Sequence, residues 1–208
     1  MNAPAVSLAP PESSPTRSVG ATALAWWREY CHPDRGDAST RARLRRARSG
    51  LEVLAIPAAM VLARRLRASR SEDDATKAIE LARVLAHVRA HTDRSPMQAA
   101  GWQRFPFDAA AELPPEQRPR LSEVRFRRLI RAERAGGELT DAFIRLVRLL
   151  DGEVHVPRLA ESFWFWDVGD ERVRRRWAFE YYAAGIAAPP DDATAIPTGH
   201  SDDEDSDA

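Results

Sequence analysis

Between Arg125 and Arg134 the chain reads RFRRLIRAER, a pattern that acquires two coherent faces as a helix. At about 100° per residue, Phe126, Leu129 and Ile130 converge on one side, while Arg127, Arg128, Arg131 and Arg134 spread over the other. Ser122 stands where it can cap the free amides of such a helix, and Gly136 with Gly137 supplies the stop. A row of arginines at this spacing suits a phosphate backbone, because each guanidinium stays charged and forks onto two oxygens. The bland alternative is a solvated polar face. Only Glu133 lies among these arginines, so i,i+4 ion pairing does not account for most of them.

The same three-and-four spacing recurs along the chain, and β-branched alternation is rare. This predicts an all-α fold, long enough at 208 residues for two small helical bundles. The formal charge of zero hides an asymmetry. Asp191, Asp192, Asp202, Asp203, Glu204, Asp205 and Asp207 end the chain, and Glu12 and Arg17 offset each other near its start. Without these the body keeps 30 basic and 23 acidic residues, so the folded part is expected to be basic. Cys31 is the only cysteine, which excludes an internal disulfide or a cysteine-rich zinc site. The first nineteen residues hold no continuous apolar run of signal-peptide type, and no stretch approaches eighteen uninterrupted apolar residues. A soluble, cytoplasmic protein is expected.

Residues 1–19 and the acidic 187–208 read as disordered tails. Between them an N-terminal bundle is expected over 20–91, a connecting loop over 92–120 and a C-terminal bundle over 121–186. The first helix runs from Thr22 to Tyr30, with Leu24 and Trp26 or Trp27 as core anchors. Nine arginines fall between Asp37 and Arg70, opposed by Asp37 and Glu52 alone. Within this second basic cluster a helix over 38–47 turns Leu44 inward. Ser49 and Glu52 have capping-box spacing, and Pro57 opens a helix through Leu66 anchored by Ile56, Met60, Val61 and Leu62. Arg64, Arg65 and Arg67 there can simply complement a helix C-terminus, so Arg45 and Arg46 are the stronger binding candidates. A long helix follows from Ser71 to Ala90 with Ile79, Ala82, Leu85 and Ala86 as its stripe. Trp102, Phe105 and Phe107 are expected to pin part of the connecting loop to a core.

In the second half, Leu139–Leu150 buries Phe143, Leu146, Val147 and Leu150 and leaves Arg145 and Arg148 outward. A short helix spans Pro157–Trp166, whose consecutive Trp164, Phe165 and Trp166 cannot all face one core. The last helix, from Asp170 to Gly185, places Val173, Trp177 and Tyr181 on one face. Its first-turn arginines oppose the helix dipole unless Asp167 or Glu171 pairs with them.

No nucleophile elbow, Walker loop, dinucleotide turn or paired metal-ligand motif is present, which argues against an enzyme and implies no cofactor. His87 and His91 are four apart, as on one metal-binding helix face. A zincin-type site would carry Glu beside the first, and Val88 stands there. A helical scaffold whose arginine faces meet acidic proteins remains the alternative to nucleic-acid binding.

Five blocks in order, WWREY, RARLRRARSGLEVLAIPA (41–58), RFRRLIRAERA (125–135), RLVRLLDGEVHVPRLAE (145–161) and RVRRRWAFEYY (172–182), resemble the CasB small subunit of the type I-E CRISPR Cascade complex over roughly residues 22–185. The resemblance implies a non-catalytic, all-helical subunit of a crRNA-guided antiviral complex. It also implies a head-to-tail pair with a second copy, contacts to other Cascade subunits and crRNA, and DNA and RNA binding that stabilises the R-loop through target and displaced strands. It carries Arg45, Arg46, Arg125, Arg128, Arg131 and Arg134 as nucleic-acid contacts. Arg127 joins them from helical geometry, and Arg148 from the outward face of its helix.

Overall fold

A computed structural model describes residues 18–68, 71–103, 118–169 and 171–182. Among these residues the fold is all-α apart from two two-residue strands. The helices are α1 (Val19–Tyr30), α2 (Ala38–Arg46), α3 (Gly50–Leu54), α4 (Pro57–Arg65), α5 (Glu72–Leu85), α6 (Pro96–Ala100), α7 (Glu123–Arg131), α8 (Glu138–Leu149), α9 (Val156–Trp164) and α10 (Arg172–Tyr182). Expected features at 1–17 and 183–208, together with Phe105 and Phe107, lie outside the described residues.

Local capping explains most boundaries. Ser18 accepts from the Ala21 amide, so α1 starts three residues before the expected Thr22. Asp37 accepts from both Ser39 and Thr40 to open α2, and Ser71 accepts from Asp74 to open α5. The Ser49 hydroxyl caps α3 through Glu52, but the Glu52 carboxylate reaches back to the Arg48 amide rather than to Ser49. Part of the expected connecting loop is ordered: Ser95 and Gln98 form a reciprocal capping box that opens α6 at Pro96.

The core runs through both halves of the chain. Its buried residues form one cluster, from Trp26 and Trp27 in α1 to Trp177 and Tyr181 in α10. Helix α1 packs along α9. Gly20 makes that approach possible, since a Cβ there would lie 2.6 Å from the Glu161 carboxylate and 2.9 Å from Pro157. Both tryptophans of α1 are buried, which removes them as base-stacking platforms. Their indole N–H groups donate to the carbonyls of Ala58 (2.7 Å) and Val88 (3.3 Å).

Packing settles three of the expectations. Met60 is 45 % exposed, and α4 packs through Ala58, Ala59, Leu62 and Ala63 instead, because small residues let it lie close to α5. The aromatic run resolves at a helix end: α9 stops at Trp164, so Phe165 projects outward at 42 % exposure while the chain folds Trp166 back into the core. Its indole donates to the Ala132 carbonyl at 2.9 Å. Finally, α5 ends at Leu85 rather than Ala90, because the Arg89 and Ala90 amides turn to the Gly152 carbonyl and residues 90–91 pair in parallel with 153–154. His87 and His91 therefore do not share a helix face.

His91 and His155 are held as hydrogen-bond acceptors. The Val156 amide donates to His91 Nδ1 and the Arg158 amide to His155 Nδ1, so His155 caps α9, and the two rings meet edge to face at 5.0 Å. Burial, then the neighbouring His91 and Arg158, push the His155 pKa below its ordinary value. A folded-state pKa lowered in this way means that the unfolded chain takes up the proton first. The cap's stability is complete above about pH 6.5 and is lost as pH falls below it. His155→Asn, which caps without titrating there, should reduce the fall in melting temperature between pH 7.5 and 5.0 by about 2–4 °C. Equal falls in both proteins would show that the His155 cap does not contribute.

Candidate nucleic-acid interface

Helix α7 spans Glu123–Arg131 and presents Phe126 and Leu129 to the core, Phe126 stacked on Tyr181 at 4.0 Å. Ser122 occupies the N-cap position but its side chain makes no hydrogen bond to the helix amides, so the expected side-chain cap is not formed. The polar arc divides in two. Arg125 and Arg128 flank the core stripe on the side facing α8, whereas Arg127 and Arg131 lie about 100° from Arg128 or less, on the outer flank. Arg127 is paired with Glu123 at 3.2 Å and remains 62 % exposed.

Two clefts meet at α8. One, of about 480 Å³, lies between α7 and α8 and is walled by Arg125, Arg128, Arg145 and Arg148 over a floor of Leu129, Ala142 and Leu146. The other, of about 600 Å³, lies among α2, α5 and α8 and is lined by Arg45, Arg46, Arg48, Arg83, Arg145 and Arg148, with His87 and Asp141. Arg145 and Arg148 belong to both, so the two clefts share the α8 wall, and together they make up the arginine channel. None of these eight arginines forms an ion pair among the described residues. Among the described residues Asp141 is the single carboxylate lining the channel.

Five of the sequence-selected arginines, Arg45, Arg46, Arg125, Arg128 and Arg148, line the channel. Arg127 and Arg131 line neither cleft. Arg134 is outside the helix altogether: α7 ends at Arg131, and Gly136 and Gly137 at φ +65 and +78° turn the chain into α8. Its guanidinium, 16 % exposed, binds Asp167 (2.9 Å), the Phe163 carbonyl (2.6 Å) and Glu80 (3.5 Å), and lies 4.7 Å from the Phe163 ring centroid. It is a packing residue, not part of the exposed arginine face. Arg174 in the first turn of α10 reaches Asp167 at 3.7 Å and Glu171 at 3.5 Å, so local carboxylates answer its conflict with the helix dipole.

Arg48, Arg83, Arg145 and His87 were not among the sequence-selected residues. Arg145 carried a signal, since it shares the outward face of α8 with Arg148. Arg83 and His87 enter only because α5 packs beside α2 and α8, a long-range convergence without a local pattern.

Fold and channel together define an all-α protein with a long cationic cleft. Residues 40–182 match the family model for CRISPR-associated protein Cse2, and the chain belongs to that family. It is accordingly the non-catalytic small subunit of the type I-E Cascade complex of CRISPR defence, with the other Cascade subunits as partners. No curated protein and no solved structure gives a significant match. Among the described residues no helix is long and apolar enough to cross a membrane.

The Arg134 contacts make a direct prediction. Arg134→Ala leaves the buried Glu80 carboxylate without its cation and should cost about 2–4 kcal/mol in chemical denaturation. Arg131→Ala, at an exposed and unpaired position, should stay within about 0.5 kcal/mol of the parent. Equal stabilities of the two variants would remove the structural assignment of Arg134.

Proposed function

We propose that this subunit holds the phosphate backbone of single-stranded nucleic acid in the arginine channel while guide RNA pairs with its target, bracing the R-loop through the displaced and target strands. The observation that supports this reading is the channel itself: eight guanidiniums without ion pairs, contributed by α2, α5, α7 and α8 and opposed by one carboxylate. Such a surface follows phosphates and is indifferent to sequence. That is what the role requires, because guide–target pairing exchanges one duplex for another of nearly equal stability, and modest backbone contacts tip the balance. Sequence reading stays with the crRNA.

In this proposal a second copy set head to tail continues the channel, and the subunit works in the cytoplasm within the assembled complex. Large apolar side chains away from the channel, Leu51 at 78 % and Phe179 at 76 % exposure, suit contacts with Cascade neighbours. Arg127 and Arg131, on the outer flank of α7, are available for a second strand.

The test is fluorescence anisotropy of a labelled single strand against salt concentration. Replacing Arg125, Arg128, Arg145 and Arg148 with alanine should flatten the slope of log affinity on log salt by about 3, at roughly 0.7 for each lost phosphate contact. The Arg127→Ala/Arg131→Ala pair should flatten it by about 1.4 at most. A larger effect from the outer pair would move the strand out of the channel. Failure of the parent protein to bind at low salt would favour the scaffold reading, in which the arginine faces meet acidic partner proteins.

A further inference from the structure

His87 lies just beyond the end of α5, is 8 % exposed, and lines the channel. Among the described residues no hydrogen bond or ion pair engages its ring. The ring is more than nine-tenths buried and what remains exposed opens onto the cleft, where a ligand can meet a ring nitrogen that no protein group engages among the described residues. The charged groups around it come from three directions. Arg45, Arg46 and Arg48 stand on α2 and its exit, and Arg83 on α5. Asp141, Arg145 and Arg148 stand on α8. A neutral imidazole offers one N–H donor, and an imidazolium offers two. The matching ligand is therefore an anion rich in acceptors, and forked guanidiniums at the same place favour phosphate over a single carboxylate.

We propose that His87 seats one phosphate group of the bound strand, together with Arg45, Arg83 and Arg148, and that seating it transfers one proton from solvent to the imidazole. The proposal rests on the reading of the channel as a nucleic-acid track and adds a fixed subsite to it. In the free protein, burial and then the fields of Arg148, Arg45 and Arg83 push the His87 pKa down to about 4, so the ring is neutral at physiological pH. A phosphodiester brings one negative charge beside the ring, which offsets part of the guanidinium field and favours the imidazolium against its burial. Proton uptake on binding follows by linkage, and binding tightens as pH falls between the bound and free midpoints.

The experiment uses the full chain and a short oligothymidylate, with the His87 ring resonance followed by NMR across pH and assigned by its disappearance in His87→Gln. Saturation with the oligonucleotide should raise the His87 midpoint from about 4 to above about 6. Affinity should rise up to about tenfold from pH 6.5 to 5.5 in the parent, and this rise should be absent in His87→Gln. An unmoved midpoint with the strand bound, or superimposable pH profiles, would overturn the subsite while leaving the channel reading intact. Absence of binding to the parent at low salt would overturn both. An oligoaspartate that raises the midpoint as much as the oligonucleotide would assign the subsite to an acidic protein segment and overturn the phosphate. Should His87→Gln fail to fold, the ring is assigned by through-bond correlation to its own backbone, and the parent midpoint with and without oligonucleotide decides the matter.

Discussion

The arrangement of the second half depends on one guanidinium. Arg134 sits in the turn between α7 and α8, and its contacts gather Glu80 of α5, the Phe163 carbonyl of α9, and Asp167 in the passage to α10. Its Nε and Nη2 are hydrogen-bonded, whereas Nη1 faces Glu80 at 3.5 Å as an ion pair without a hydrogen bond, and removing any one partner leaves an ion in a poor solvent. The strain is visible on the other side of the pair. Burial raises the Glu80 pKa despite the attraction of Arg134, so desolvation exceeds the Coulombic return. What such a pair supplies is direction. It fixes where α8 begins relative to α5, and therefore how far the arginines of α8 stand from those of α2.

Around that junction the aromatics complete the positioning. Phe143 of α8 meets Phe163, Trp166 and Trp177 at ring separations of 5.1–5.3 Å, which locks α8 against α9 and α10. The buried Trp166 and Trp177 spend no hydrogen bond on water, since their indoles donate to the Ala132 carbonyl and the Ser162 hydroxyl. With its inner face held by this cluster, α8 has only its outward face left for Arg145 and Arg148. The shared wall of the channel is thus a consequence of core packing.

Much of this was legible residue by residue. Helical periodicity placed Phe126 and Leu129 inward, Leu44 inward, and Val173, Trp177 and Tyr181 on one face, because those patterns are local and the capping residues mark their limits. Legibility stopped where tertiary contacts decide. The arginine row of RFRRLIRAER reads as continuous through Arg134, yet the helix ends at Arg131 once the chain must turn through Gly136 and Gly137. The pair His87 and His91 reads as one helix face, yet strand pairing with 153–154 takes the chain out of helix between them. The channel itself has no sequence signature, since α2, α5 and α8 contribute to it from segments some forty to a hundred residues apart.

The channel also departs from what stability alone would select. Eight like charges that could have been interleaved with carboxylates stand without ion pairs, and their mutual repulsion is a standing cost to the folded state. Elsewhere Arg127, Arg134 and Arg174 all have carboxylate partners. Eight such charges gathered along two adjoining clefts, with a neutral imidazole that no protein group engages among the described residues, are the pattern expected where a polyanion completes the electrostatics. The repulsion then has a use. It is relieved only by a ligand bearing several negative charges in a row, so a lone small anion recovers a fraction of it and a strand recovers most.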